Sequence, residues 1–272
     1  MRRAPSPRAI AITGASSGIG AALARRLAGP GCSLALIGRD ADRLERVAEE
    51  CRSKGAACRI GRIDIRDTGR LSAFLDSFDS EQPLDTFISN AGILDGRHAD
   101  QTLEGGDAAR QVLETNLLAA VDAVHIVLPK MRQRGQGGIV LVASLAALVP
   151  LPDAPAYSAS KAGLLSYGLA LRDALAGEKI KVVVACPGYV STAMAKIHIG
   201  SRPGEISADA AARLILRGLG RNQPVIGFPT GPFWVTRFSL LVPEFLRRRG
   251  MSGPRFHVDR SAAPRAGSGA GR

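Results

Sequence analysis

Residues 13–20 read TGASSGIG, and this run decides the fold. It follows the apolar stretch Ala9–Thr13 and precedes a helix-forming stretch, Ala21–Ala28. A strand, a glycine-rich turn and a helix in that order make the setting in which a dinucleotide is held. Gly14 permits a tight turn, Gly18 lets a pyrophosphate approach the backbone, and Gly20 lets the helix pack closely. Ser16, Ser17 and Ile19 complete the turn. Phosphates bound here would meet the positive end of the helix dipole. The spacing is G-x-x-x-G-x-G rather than G-x-G-x-x-G. A ligand-free glycine turn has the same letters, so the flanking context carries the reading.

Moving outward, short apolar runs alternate with amphipathic ones. Strands are expected at Ala9–Thr13, Ser33–Ile37, Ala57–Ile63, Thr86–Ser89, Gly138–Ala143, Lys181–Ala185 and Pro224–Gly227. Helical periodicity marks Asp40–Cys51, where Leu44, Val47, Ala48 and Cys51 share one face. Tyr157–Leu175 and Ser207–Leu219 read the same way, the latter with Ser207 as N-cap. Alternating strands and helices imply βαβ units, right-handed crossovers and a doubly wound, mostly parallel α/β sheet of Rossmann type. The 272 residues suit one such domain. Hydrophobic residues make up 46% and aromatics only 4%, so Ala, Leu, Val and Ile must build the core. The expected layout is a flexible basic N-terminus (1–8), a catalytic domain (9–227), an apolar and basic arm (228–250) and a disordered tail (251–272).

The net charge of +12 is concentrated at the ends. Arg2, Arg3 and Arg8 lie at the start, and seven Arg against one Asp fall in 247–272. Without a recognisable nucleic-acid module, specific nucleic-acid binding is not expected. Cys32, Cys51, Cys58 and Cys186 form no C-x-x-C pair and have no His at ligand spacing, so no metal is expected. They read as free thiols of a cytoplasmic protein, with Cys51 in the core. Residues 1–8 lack the apolar run of a signal peptide.

The second strand ends in LIGRD, residues 36–40. An NAD site places an acid there for the ribose hydroxyls. This chain has Gly38, then Arg39, which can pair with a 2′-phosphate. Asp40 is better placed as the cap of the next helix. NADP(H) is therefore favoured over NAD(H).

Further motifs follow in order: NAG at 90–92, Asn116 in ETN, Ser144 in VASLAA, YSASK at 157–161 and PGYVST at 187–192. Together with the glycine turn they cover nearly all of 9–192, and the chain resembles the short-chain dehydrogenase/reductase family. The resemblance implies an oxidoreductase moving a hydride between a nicotinamide cofactor and a carbonyl or secondary alcohol. Tyr157 would be the general acid/base. A free phenol titrates near ~10, and Lys161, one helical turn on, would lower that value and hold the nicotinamide ribose. Ser144 would polarise the carbonyl, and Asn116 would hold a proton-relay water. Asn90, Ala91 and Gly92 would border the adenosine, and Asp64 and Ile65 the adenine, although Asp64 also reads as a strand-end turn residue. Pro187, Gly188, Val190 and Thr192 would shape the nicotinamide side, with Thr192 bonding the carboxamide.

The rest is less legible. Residues 193–205, AMAKIHIGSRPGE, read as a lid over a partly apolar pocket and name no substrate. His98, His125, His198 and His257 fit no catalytic role; surface or core roles are expected for all four, with His98 and His198 also able to reach a pocket. Arg237 and three prolines interrupt the apolar run 228–246, which does not read as a spanning helix. It packs on the body or in a homodimer or homotetramer, caps the cleft, or lies on a membrane surface through 228–249. The alternatives to an enzyme are a nucleotide sensor and a membrane-associated scaffold. The intact Ser144, Tyr157, Lys161 and Asn116 argue against a sensor, which needs no general acid.

Overall fold

A computed structural model describes residues 9–239 and 256–259. The strands are β1 (Ala9–Thr13), β2 (Ser33–Gly38), β3 (Ala57–Arg62), β4 (Thr86–Ser89), β5 (Gly137–Val142), β6 (Ile180–Pro187), β7 (Val190–Ser191), β8 (His198–Gly200), β9 (Ile206–Ser207), β10 (Val225–Phe228) and β11 (Phe256–Val258). The helices are α1 (Gly18–Leu27), α2 (Ala41–Arg52), α3 (Thr68–Glu81), α4 (Gly106–Leu113), α5 (Ala119–Arg134), α6 (Pro155–Ala174), α7 (Ala193–Lys196), α8 (Ala208–Gly220) and α9 (Thr230–Ser239).

Seven strands form one sheet in the order β10-β6-β5-β4-β1-β2-β3. Every pairing in it is parallel. The order reverses between β1 and β4, and the cleft of a doubly wound sheet opens at such a switch point, beyond the carboxyl ends of the strands.

The inner strands β1, β2, β4, β5 and β6 are buried on both faces, which is why they read as continuous apolar runs, whereas the edge strand β3 is largely half-buried or exposed. Alternation along β1 splits the core into two layers. Ile10 and Ile12 join Leu23 of α1, Leu44 and Val47 of α2 and Ile215 of α8. Ala9 and Ala11 face the layer built with Leu71 and Phe78 of α3, Val127 of α5 and Leu164 of α6. The apolar stripe Leu44, Val47, Ala48 and Cys51 is fully packed, and the Asp40 carboxylate caps α2 by accepting from the Arg43 N–H at 3.0 Å. The Ser207 hydroxyl caps α8 in the same way, from Ala210 N–H.

The strand expectations hold within a few residues. Phe228 ends β10 rather than opening the arm. Phe233 of α9 packs on Gly227, where a Cβ would lie 1.8 Å from the ring. The disorder expected across 251–272 does not extend to Phe256–Val258, which pair antiparallel with β8. The basic start 1–8, the Arg247–Arg249 run and the final residues from 260 lie outside the described residues.

Candidate active site

At the glycine turn, steric limits do most of the shaping. Gly14 has φ +66°, and a Cβ on it would stand 2.8 Å from the Ala91 Cα. A Cβ on Gly20 would stand 2.3 Å from the Gly14 carbonyl oxygen, so no larger residue fits without backbone movement. Asn90 ties the two ends of the switch point together. Its Nδ2 donates to the carbonyls of Thr13 (3.0 Å) and Gly14 (3.2 Å). The Thr13 hydroxyl accepts from the Asn90 and Ala91 N–H groups. Thr13 is a positioning residue that the sequence reading missed. Its place as the last residue of β1, directly before the turn, was the available signal.

Helix α1 differs from α2 and α8 at its start. Ser17 occupies the N-cap in extended backbone, but its hydroxyl makes no capping bond. Ser17, Gly18 and Ile19 line the cleft, so the first turn presents backbone N–H groups and the positive dipole end there. An anion fits that chemistry. The cleft holds about 920 Å³. Of the residues given a cofactor or catalytic role from sequence, all line it except Gly20 and Asn116.

At the end of β2, Arg39 is exposed on the cleft. Asp40 is engaged by Arg43, whose Nε lies 3.0 Å from it. Arg43 also lines the cleft, a second guanidinium missed in the sequence. Among the described residues Arg39 has no ion-pair partner. Asp64 lines the cleft and also pairs with Arg66 at 2.7 Å, which holds its carboxyl below the usual range.

The catalytic candidates converge beyond β5 and on α6. Pro155 starts α6, and the spacing of Tyr157 and Lys161 puts them on one face. The Lys161 Nζ lies 5.8 Å from the Tyr157 ring centroid and donates to Val142 O at 2.9 Å. Lys161 is buried, and burial brings its ammonium down to about 8. Burial also pushes the Tyr157 phenol above its ordinary value, and a hydrogen bond with Ser144 pulls the other way. This differs from the sequence expectation: Ser144 supplies the lowering interaction, and desolvation outweighs it.

Asn116 lies in a π-helical turn, Glu114–Leu118, inserted between α4 and α5. Such turns recur at functional sites. Its side chain is wholly buried. Oδ1 accepts from Ile93 N–H at 2.8 Å, and Nδ2 donates to Ile93 O (2.9 Å) and to the Ser160 hydroxyl (3.2 Å). Gly92 is held between this amide and Lys161, since a Cβ there would lie 3.1 Å from Asn116 Oδ1 and 3.4 Å from Lys161 Nζ. Asn116 thus fixes the loop after β4. Its two N–H donors are committed, leaving only a lone pair on Oδ1 for a water.

On the far side, Gly188 N–H donates to Phe228 O at 2.7 Å. The Thr192 hydroxyl caps α7 by accepting from Ala195 N–H, and its own proton stays available to donate. His198 lines the cleft although a surface or core role was favoured for it, His98 does not line it, and Phe256 joins it unexpectedly.

Residues 8–199 match the sequence profile of the short chain dehydrogenases. The chain belongs to that family. Among curated short-chain dehydrogenase relatives, it is 36% identical over 186 residues to a ketoacyl reductase, HetN, of Nostoc, covering 68% of this chain and 64% of that protein. It is 31% identical over 246 residues to 11-beta-hydroxysteroid dehydrogenase-like 2 of Arabidopsis thaliana, covering 88% and 79%. A solved short-chain dehydrogenase from Sphingobium yanoikuyae, in complex with NADPH, superposes with a TM-score of 0.75 at 26% identity, covering 91% of this chain and 96% of that one.

Proposed function

We propose that this short-chain dehydrogenase is a cytoplasmic NADP(H)-dependent oxidoreductase acting on an apolar carbonyl or secondary alcohol. The observation that carries the reading is the convergence of Tyr157, Ser144 and Lys161 beside an uncapped α1 start, in one cleft at the switch point. Bound there, a reduced nicotinamide supplies the hydride. The Ser144 hydroxyl holds the substrate carbonyl in line. Tyr157 keeps its proton at neutral pH, because burial raises its phenol, and delivers it to the carbonyl oxygen as charge develops. Lys161 places a cation behind the phenol, and Asn116 positions the Ile93 loop and Gly92 beside it. NADP(H) is favoured by Gly38 in place of an acid and by Arg39, which has no ion-pair partner among the described residues; the Sphingobium structure's NADPH complex supports a nicotinamide cofactor. The nucleotide-sensor alternative gains no support from this arrangement.

Tyr157→Phe is expected to lower kcat by about 10²–10⁴-fold while NADPH affinity, read by fluorescence, stays within about twofold. Near-normal turnover in that variant overturns the mechanism.

A lipid-surface contact through 228–249 is a second, separate proposal. It rests on Trp234, Val235 and Phe238, which are 48%, 56% and 60% exposed on α9 beside the cleft mouth, and on Arg247–Arg249 following in sequence.

A further inference from the structure

Strand β11 comes from a stretch rich in Gly, Ser, Pro, Ala and Arg, yet Phe256 and Val258 alternate about His257 as strand residues do. Both apolar side chains are buried. The strand joins three separate parts of the chain. Phe256 N–H donates to Asp153 Oδ2 at 3.0 Å. Val258 N–H donates to Arg97 O at 2.6 Å, and Asp259 N–H to Ile197 O at 2.9 Å. Asp153 is the centre of this arrangement. It is wholly buried, and its Oδ1 accepts from Arg97 Nε at 2.7 Å. Arg97 N–H returns a bond to Asp153 O at 2.6 Å, and Gly96 alone fits beside that carbonyl, since a Cβ would lie 2.2 Å from it.

A buried carboxylate is costly unless paired, so it adds little net stability but strongly penalises any arrangement that separates the pair. Asp153 immediately precedes Ala154 and α6, the helix of Tyr157. The Tyr157 ring packs with Leu94 and Leu151 on a small cluster of Ala154, Ile197, Phe256 and Val258. Phe256 also stacks on His198, with ring centroids 4.1 Å apart, and both rings line the cleft.

We propose that β11 forms the substrate-end wall of the cleft, that Phe256 limits how far an apolar substrate extends from its carbonyl, and that the Asp153–Arg97 pair clamps the wall in place. This rests on the carbonyl-oxidoreductase reading above. Phe256 is the specificity-determining residue, and Asp153 and Arg97 are positioning residues. The substrate class is an apolar ketone or its alcohol, since Leu94, Leu151, Met194, Ile197 and Phe256 line that end.

The test uses the full chain with NADPH and a graded series of unbranched and cyclic ketones. Phe256→Ala is expected to lower kcat/KM for the ketone best used by wild type about tenfold, through KM. The optimum is expected to move to longer or bulkier ketones. Arg97→Gln, at the outer member of the clamp, is expected to shift the optimum the same way. It is also expected to raise amide hydrogen exchange at 256–259 and 197–200. NADPH affinity is expected to stay unchanged in both variants. An unchanged size profile in Phe256→Ala overturns the wall, and unchanged exchange in Arg97→Gln overturns the clamp. Should wild type bind NADPH and reduce no ketone, the carbonyl reading fails. The exchange of Arg97→Gln then still decides the clamp, and unaltered displacement of a cleft-bound apolar fluorophore by long-chain alkanes in Phe256→Ala overturns the wall.

Discussion

The two ends of the cleft are built by different means. The nucleotide end is made by contiguous strand–turn–helix units, each of which carries its own instructions. Glycines leave room that no side chain can share, and the side chains of Asn90 and Thr13 each bond the other's backbone across β1 and β4. The substrate end is assembled from stretches near residues 94, 151, 194, 233 and 256, which meet only in the folded protein. One end is steric and local, the other tertiary. Substitutions at the first should therefore act all at once, and those at the second in graded fashion.

Gly20→Ala is the strongest way to break that contrast. Its Cβ would meet the Gly14 carbonyl at 2.3 Å and the Asn90 amide at 2.6 Å. The first is backbone, and the second is a side-chain amide held by its bonds to Thr13 O and Gly14 O, so β1, α1 or the residue 90 loop must shift. Overpacking of this kind costs about 1–3 kcal/mol or more. NADPH affinity is expected to fall at least about 100-fold, with a clear drop in Tm. A variant with normal NADPH titration and melting would show that the turn is less constrained than these distances require.

Arg39→Asp tests the same end with a smaller effect. Arg39 is exposed and unpaired among the described residues, so its removal disturbs no packing. The new carboxylate would repel a 2′-phosphate and suit ribose hydroxyls. The ratio of kcat/KM for NADPH to that for NADH is expected to fall by about 10–100-fold, near 1.4–2.7 kcal/mol, with unchanged stability. An unmoved ratio would assign the 2′-phosphate to Arg43 or remove NADP preference altogether.

This contrast explains what could be read in the sequence. The strand positions and the glycine turn were legible because the inner parallel strands are apolar throughout and the turn needs glycine. Tyr157, Lys161 and Ser144 were candidates through resemblance, and the spacing of Tyr157 and Lys161 puts those two on one face of α6. Asp153 and Phe256 were not. A lone Asp before a helix reads as a cap, and a lone Phe in a Gly/Pro/Arg-rich tail reads as disorder. Their meaning depends on Arg97 and His198, far away in the chain. The electrostatics of Tyr157 were misjudged for a related reason: helical spacing reports which side chains are neighbours, but not how much protein surrounds them.

Lys161 lies at the seam between the two ends, and Lys161→Met gives the smallest and sharpest test. Burial lowers its ammonium from 10.5 to about 8, so holding the charge in the fold costs about 3 kcal/mol at 1.36 kcal/mol per pH unit. Near pH 7 both folded and unfolded chains carry the proton, and the whole cost applies. As pH rises from about 8 to 10.5, the folded chain releases its proton first. The unfolded state then binds more protons, so wild-type stability rises through that window. Met keeps the volume and removes the charge, but it leaves Val142 O without its donor, which returns about 1–2 kcal/mol. Nucleotide-free Lys161→Met is therefore expected to be about 1–2 kcal/mol more stable than wild type at pH 7, by urea unfolding, and inactive. The advantage should vanish by about pH 10. A variant less stable than wild type at pH 7 would mean that Val142 O, and not the buried charge, governs this position.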